Sequence, residues 1–381
     1  MRIVLSLHAF SQHAGTETYS LCVASELRRL GHEVTLHATE LGPIAEIART
    51  DGFPVVARAD ELPTGVDGVL AQDAGTAYTL ARRYPAAARV MVVHSEYHAL
   101  QFPPQLTGVC DAAVVMNERV RRRVEHLAAA PRVVRLRQPV DLRRFGVRGR
   151  PSQHRRRALI LGNYLRGDRA DVVADACRSA GFEPSITGVH TRPTSTPERD
   201  IAEAEVVVGL GRCIVEALAG RRAAFVYGLA GGDGWVTTDS YEALESDGFA
   251  GTARDEPLDS RRMAEELAAW DPTMGDINRQ LAFAHHDVGN HVMDLLDLLH
   301  DPATPPSEIV GPMDEMARLV RMEWDSWSRY AGAVGEVAEL REEIDRVHGD
   351  AARAIDAERQ ARERSQAAAE REAQRTAEEH A

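Results

Sequence analysis

The sequence predicts an α/β protein of two doubly wound halves facing a cleft, followed by a helical tail. Three observations carry this. Short β-rich runs alternate with helical patterns as far as Leu299. The alternation breaks at Gly146-Val147-Arg148-Gly149-Arg150-Pro151-Ser152 and restarts, each half opening on a strand and a glycine turn. After the Pro-rich ATPPSE (303–308) the chain becomes almost pure Ala, Glu and Arg. At 381 residues it exceeds the roughly 250–300 at which single cores stop growing. The expected domains are therefore 1–150, 151–302 and 303–381.

The elements follow in order. RIVLSLHAF reads as a first strand, and its apolar run is too short for a signal peptide. Thr16–Leu30 carries Tyr19, Cys22, Val23 and Leu27 at helical spacing, with Gly31 where a C-cap belongs. EVTLHA, PVVAR, GVLAQ, RVMVVHS, AAVVM and RVVRLR are further strands. Strands separated by helices imply βαβ units and a parallel sheet covered on both faces. The second half supplies RRRALILGN, a helix over Arg169–Ser179, then EPSITGV, EVVVGL, a helix, and AAFVYG. Leu281–Leu299 reads as one helix. Gly311–Tyr330 is helical with Trp324 and Trp327. Beyond it Val337, Leu340, Ile344, Val347 and Ala351 keep a 3/4 spacing that suits a short coiled coil and self-association.

Composition excludes several classes. All 45 basic residues are arginine, which rules out Schiff-base and P-loop lysine chemistry. Cys22, Cys110, Cys177 and Cys213 form no CxxC pair, so zinc clusters and disulfide frameworks are not expected and a reducing cytoplasm is. A net charge of −13 argues against general nucleic-acid binding. No window approaches a membrane span. Between Arg119 and Arg157, 14 arginines face few acids. They form either a solvated face or linker, or a surface for anionic lipid head groups or phosphorylated substrates.

Chemistry is expected where strands leave each sheet toward the cleft. Three turns there pair a glycine with a helix start, whose N–H groups attract anions. They are His13-Ala14-Gly15-Thr16, Leu161-Gly162-Asn163 running to Arg169, and Gly209-Leu210-Gly211-Arg212. The alternative for the first is a plain turn with Thr16 as N-cap. None is GxGxxG followed by a ribose-binding acid, so an NAD domain is disfavoured. His94 and His98 stand four apart but without HExxH or an evident third ligand, and no metal is expected.

Read in order, these segments resemble the retaining glycosyltransferases of family 4. LSLHAFSQHAGTETYSLCVASELRRLGHEVTLHA is similar to that family's glycine loop and the helix ending in "GHEV". Asp67-Gly68-Val69-Leu70 and Val92-Val93-His94 stand where its strands enter the cleft. Arg137-Gln138-Pro139-Val140-Asp141-Leu142-Arg143-Arg144-Phe145 resembles "pNGVDxxxF", and Leu161-Gly162-Asn163 the opening of "vGRl…KG". Ile214-Val215-Glu216-Ala217-Leu218-Ala219-Gly220 resembles "lvxlEAmAxG", and Gly231-Gly232 the later glycine pair. The resemblance spans roughly residues 1–300.

It implies a GT-B fold, two Rossmann-like domains with a nucleotide sugar held mainly by the second. On that pattern Glu216 holds the ribose hydroxyls, while Gly211, Arg212, Cys213 and Ile214 approach the donor's sugar and phosphates. Gly15, Gly162 and Asn163 border the diphosphate, and His94 lies near the transferred sugar. Arg166 or Arg169 stands for the family's catalytic lysine. The activity implied is metal-independent hexosyl transfer to a glycan, lipid or small-molecule acceptor, with the nucleotide sugar as substrate and no cofactor. The sequence departs from the family at three places: Val208 replaces the first of two motif glutamates, Gln138-Pro139 replaces Asn-Gly, and Asn163 replaces the phosphate-gripping arginine. Two other readings are a GT-B sugar-nucleotide epimerase and a non-catalytic binding or assembly protein.

Overall fold

The computed structural model describes residues 1–301 except 97, 128–129, 147–155, 164, 166, 189–190, 229–230 and 255–257, together with scattered positions from 315 to 359. Two compact units result, Met1–Pro312 and Met313–Ala381. In the second, the described positions up to 359 are helical. Trp324 and Trp327 lie outside the described residues.

The first half of the larger unit contains β1 (Arg2–Phe10), α1 (Gly15–Arg29), β2 (Glu33–Leu41), α2 (Pro43–Thr50), β3 (Val55–Val56), β4 (Gly68–Ala71), α3 (Ala74–Arg83), β5 (Ala88–Val93), β6 (Ala112–Val115), α4 (Glu118–Glu125) and β7 (Arg132–Arg135). Its strands form one parallel sheet in the order β3-β2-β1-β4-β5-β6-β7. The second half contains β8 (Arg157–Leu161), α5 (Asp168–Ser179), β9 (Glu183–Thr187), α6 (Pro197–Glu203), β10 (Val206–Gly209), α7 (Arg212–Ala219), β11 (Ala223–Tyr227), β12 (Gly232–Trp235), α8 (Tyr241–Ser246), α9 (Ser260–Ala268), α10 (Met274–His285) and α11 (Val288–His300). Its sheet runs β12-β11-β10-β8-β9, with β12 antiparallel at the edge. The central strands β4, β5, β6 and β10 are buried at every position. Helices cover both faces of such strands, so they read as continuous apolar runs.

The domain boundary differs from the expected break at 150. Val140, Leu142 and Phe145 already pack in the second core, so the chain crosses over just after β7. The helix expected over Leu281–Leu299 is two helices. Its second part, α11, leaves the second domain and buries Val292, Leu295, Leu296 and Leu299 in the first core. Fully burying each such side chain is worth about 1.5–3 kcal/mol. The break falls at His286-Asp287 because the returning chain pairs there with the outgoing one. Val140 N–H donates to His286 O at 2.8 Å, and Val288 N–H to Val140 O at 3.2 Å. The Asp287 side chain then caps α11.

Two histidines lock this double crossing. His286 donates from Nδ1 to Gln138 O at 2.7 Å and accepts the Tyr241 hydroxyl at 2.9 Å. His291 does the same with Arg137 O at 3.1 Å and the Tyr19 hydroxyl at 2.8 Å. Burial holds both well below the usual histidine range, at about 4.

Six described arginines of the arginine-rich run meet carboxylates from distant parts of the chain, while Arg121 and Arg122 pair within α4. Arg119 meets Glu96 at 3.2 Å and Asp247 at 3.4 Å, Arg135 meets Glu245 at 2.5 Å, and Arg137 meets Glu242 at 2.9 Å. Arg143 reaches Glu26 at 2.6 Å and Arg144 reaches Glu198 at 3.0 Å. Those of Arg119, Arg135, Arg137 and Arg143 join the two domains, so these four arginines form part of an interdomain seam.

Candidate functional site

Each sheet changes winding direction once, between β1 and β4 in the first and between β8 and β10 in the second. Ligands of doubly wound sheets bind in the crevice beyond the strand ends at that point. All three glycine turns singled out in the sequence leave from these four strands.

In the second domain the crevice is lined by backbone. β10 ends at Gly209, where a Cβ would lie 2.6 Å from Leu161 O, so a side chain there would force the two strand ends apart. Gly211 precedes α7 at φ +58°, a left-handed conformation that favours glycine. It supplies no side-chain cap. Ile214 N–H turns back to Gly211 O at 3.1 Å, while the N–H groups of Arg212 and Cys213 precede the first intrahelical bond. Gly162, at the end of β8, lies against the Cys213 sulfur, bringing the two turns together. Asn163 follows, half-buried. Gly15 opens α1, also without a side-chain cap, and a Cβ there would meet nothing within 4 Å. The cap is Ala14 rather than Thr16, because α1 starts one residue earlier than the sequence suggested.

Arg212 and Glu216 share one face of α7 and form an ion pair at 2.9 Å. Arg212 also donates to Pro139 O at 3.3 Å and to the Cys22 sulfur of α1. It thus ties the second domain to both the crossover and the first domain. Burial raises the Glu216 carboxyl above its ordinary range, and the positive charges of Arg212 and Arg144 oppose that rise. Beside Arg212 lies a cavity of about 320 Å³ between α1, α2 and the second domain. His13, Cys22, Asp141, Arg144 and Glu198 also line it.

Across the cleft, His94 follows β5. Its Nε2 lies 2.6 Å from Gln72 Oε1, so the ring carries its proton on Nε2 and leaves Nδ1 as an acceptor. Its ring stands edge-on to Tyr19 at 4.9 Å. Burial, then the positive charge of Arg212, lowers its pKa to about 3.

The structure therefore gathers Gly162, Gly211, Arg212, Cys213 and Glu216 at one crevice, with His94 close enough to feel Arg212. Two of the expected residues differ from this set, and a third is not described. Ile214 points into the second core, fully buried, because its position on α7 faces the sheet. Arg169 is solvent-exposed on the first turn of α5. Arg166 lies outside the described residues. Sequence reasoning missed Gln72, Tyr19, Cys22 and Arg144. Tyr19 and Cys22 carried a signal in their shared face of α1, whereas Gln72 becomes meaningful only once β4 and β5 are neighbours. Among the described residues, no group of three or more His, Cys, Asp or Glu is placed to hold a metal ion. No helix there is long and apolar enough to cross a membrane.

No family model matches the chain, and no curated protein matches it by sequence. Solved structures do. Anabaena HepE in complex with UDP and glucose superposes on 77% of this chain and 99% of its own, with TM-score 0.53 at 12% identity. AviGT4, a glycosyltransferase involved in avilamycin A biosynthesis, covers 78% and 97% with TM-score 0.51 at 15% identity. WaaG, a glycosyltransferase involved in lipopolysaccharide biosynthesis, covers 78% and 99% with TM-score 0.52 at 12% identity. What these identities establish is the fold. The chain has the two-domain GT-B architecture.

Proposed function

We propose that the protein is a retaining glycosyltransferase that takes its sugar from a nucleotide-sugar donor. The observation that carries this is the start of α7, where uncapped backbone, Arg212 and the buried Glu216 meet at the second-domain crevice. HepE, of the same fold, is described in complexes with UDP-glucose and with UDP. In this reading the diphosphate sits at the helix start, where N–H groups and the helix dipole favour an anion. Arg212 turns from Glu216 to the phosphates, and Glu216, so released, takes the ribose hydroxyls. The nucleoside occupies the cavity beside Arg212.

Catalysis then rests on positive potential already in place where charge builds on the leaving diphosphate. A histidine held near 3 is a poor base at neutral pH. The acceptor's proton accordingly goes to a leaving phosphate oxygen on the same face, the route that retains the anomeric configuration. His94 orients the sugar by accepting a hydrogen bond from one of its hydroxyls at Nδ1, with no proton transferred. Arginine and the helix start do the work a metal would otherwise do, so chelators leave turnover unchanged.

The test is calorimetry and product analysis with a panel of UDP-, GDP- and dTDP-sugars. One nucleotide sugar should bind and be turned over with its anomeric configuration kept. Absence of binding across the panel would sink the proposal, and an inverted product would sink retention. A second reading, a binding protein without turnover, draws on Val208. That position, where the family resemblance places an acid facing the donor sugar, is instead fully buried in the middle of β10. Tight binding with no transfer to any acceptor would favour it.

A further inference from the structure

The unit that begins at Met313 carries a face the proposed chemistry does not use. Its helical positions Val337, Leu340, Ile344 and Val347 are between 49% and 62% exposed, and Tyr330, one heptad earlier, is 70% exposed. Among the described residues of this unit only Glu315 is buried. An isolated helix in water is marginal without tertiary packing, and the described apolar positions from Tyr330 to Val347 are all exposed.

The stripe has heptad order. With Tyr330 at a, the series runs Ala333 at d, Val337 at a, Leu340 at d, Ile344 at a, Val347 at d and Ala351 at a. The central heptad, with Val337 and Ile344 at a and Leu340 at d, has the β-branched-a, leucine-d pattern that favours parallel two-stranded packing. The flanking charges agree. Between Tyr330 and Ala351 the g positions are Glu336, Glu343 and Asp350, and the e positions are Val334, Arg341 and His348. A parallel, in-register pair sets Glu336 against Arg341 of the second copy, and Glu343 against its His348. An antiparallel pair would instead set Glu against Glu and Arg or His against one another. Within its own chain Glu343 meets Arg346, on the solvent side of the seam. From Tyr330 to Ala351 the seam is about 33 Å long, at 1.5 Å per residue.

We propose that this face docks a second copy of the chain as a parallel, in-register two-stranded coiled coil, making the protein a homodimer. The dimer is independent of the glycosyl-transfer reading.

Sedimentation equilibrium of the full chain tests it. The expected result is a concentration-dependent shift from monomer to dimer mass. Ile344→Glu should abolish that shift while leaving the thermal transition of the α/β unit in place, since the side chain is 52% exposed. Val347→Cys should form a chain-to-chain disulfide under mild oxidation beyond anything the native chain forms through its own four cysteines. A monomer or a trimer at all concentrations, or a dimer unaffected by Ile344→Glu, overturns the proposal. A dimer in which Val347→Cys does not cross-link overturns the parallel register.

Discussion

The turns after β4 and β10 occupy the same place in the two domains, next to the strand where each sheet reverses, yet they are built in opposite ways. After β4 the chain reads Gln72-Asp73-Ala74-Gly75-Thr76. Asp73 caps α3 by accepting from Thr76 N–H at 2.9 Å, and Gln72 holds His94. Side chains thus satisfy that helix start. After β10 the chain reads Gly209-Leu210-Gly211-Arg212, and no side chain caps α7. One turn is closed on itself and presents groups suited to hydroxyls, while the other leaves backbone donors suited to an anion. One fold has given two halves different chemistry by exchanging an aspartate for a glycine at the cap.

Substitutions should break or sharpen that contrast in a graded way. The largest effect is expected from Val208→Glu, which restores the acid the family resemblance leads one to expect. Val208 is fully exposed to no solvent at all within β10, and an unpaired buried carboxylate costs several kcal/mol. Denaturant titration should show the domain largely unfolded, and a stable, more active variant would refute this placement. Glu216→Ala should come next. It leaves the mostly buried Arg212 without its carboxylate, at up to about 3–5 kcal/mol for a broken buried pair, with nucleotide affinity lost in calorimetry. Unchanged affinity would remove Glu216 from the site.

The neutral histidines give a third effect. His286 and His291 are 2% and 5% exposed with values near 4, below the unfolded value of about 6.5. The unfolded chain therefore binds more protons between those limits. Stability contributed by each is complete above pH 6.5 and is lost as pH falls toward 4, by up to about 1.4 kcal/mol per pH unit. His286→Asn should flatten the acid limb of a Tm-against-pH curve, and an unaltered slope would show that this ring is not what titrates. The smallest effect belongs to Gly15→Ala. Because a Cβ there meets nothing within 4 Å, Tm should stay level or rise slightly, by about 0.4–1 kcal/mol of stability. Nucleotide affinity should nonetheless fall if a ligand approaches that helix start, and unaltered binding would clear Gly15 of any role.

Much of this was legible in the sequence, for physical reasons that differ by element. Strands such as β5 and β10 were readable because burial on both faces leaves an unbroken apolar run. The glycine turns after β8 and β10 were readable because a left-handed or crowded backbone needs glycine there, whereas nothing local demands Gly15. The Arg212–Glu216 pair stands in plain view, four residues apart on one helix, the spacing at which opposite charges meet. Other features could not be read. The split between α10 and α11 lies in a sequence with continuous helical periodicity, and only the passage of the chain from one domain to the other forces the break. The carboxylate partners of Arg119, Arg135, Arg137, Arg143 and Arg144 include residues from Glu26 to Asp247, too far apart in sequence to be recognised as partners.

The return of α11 to the first core separates order along the chain from membership of a domain. A gene cut at the apparent linker would yield a first fragment missing the helix that fills its own core, and a second carrying that helix with nothing to cover. Neither piece should be soluble alone, yet the two co-expressed should reassemble, because the severed half would recapture its missing helix from the other. The natural split point, if one is wanted for a complementation reporter, is therefore one that divides the cleft between the two domains while leaving reassembly to a helix encoded far from the sheet it completes.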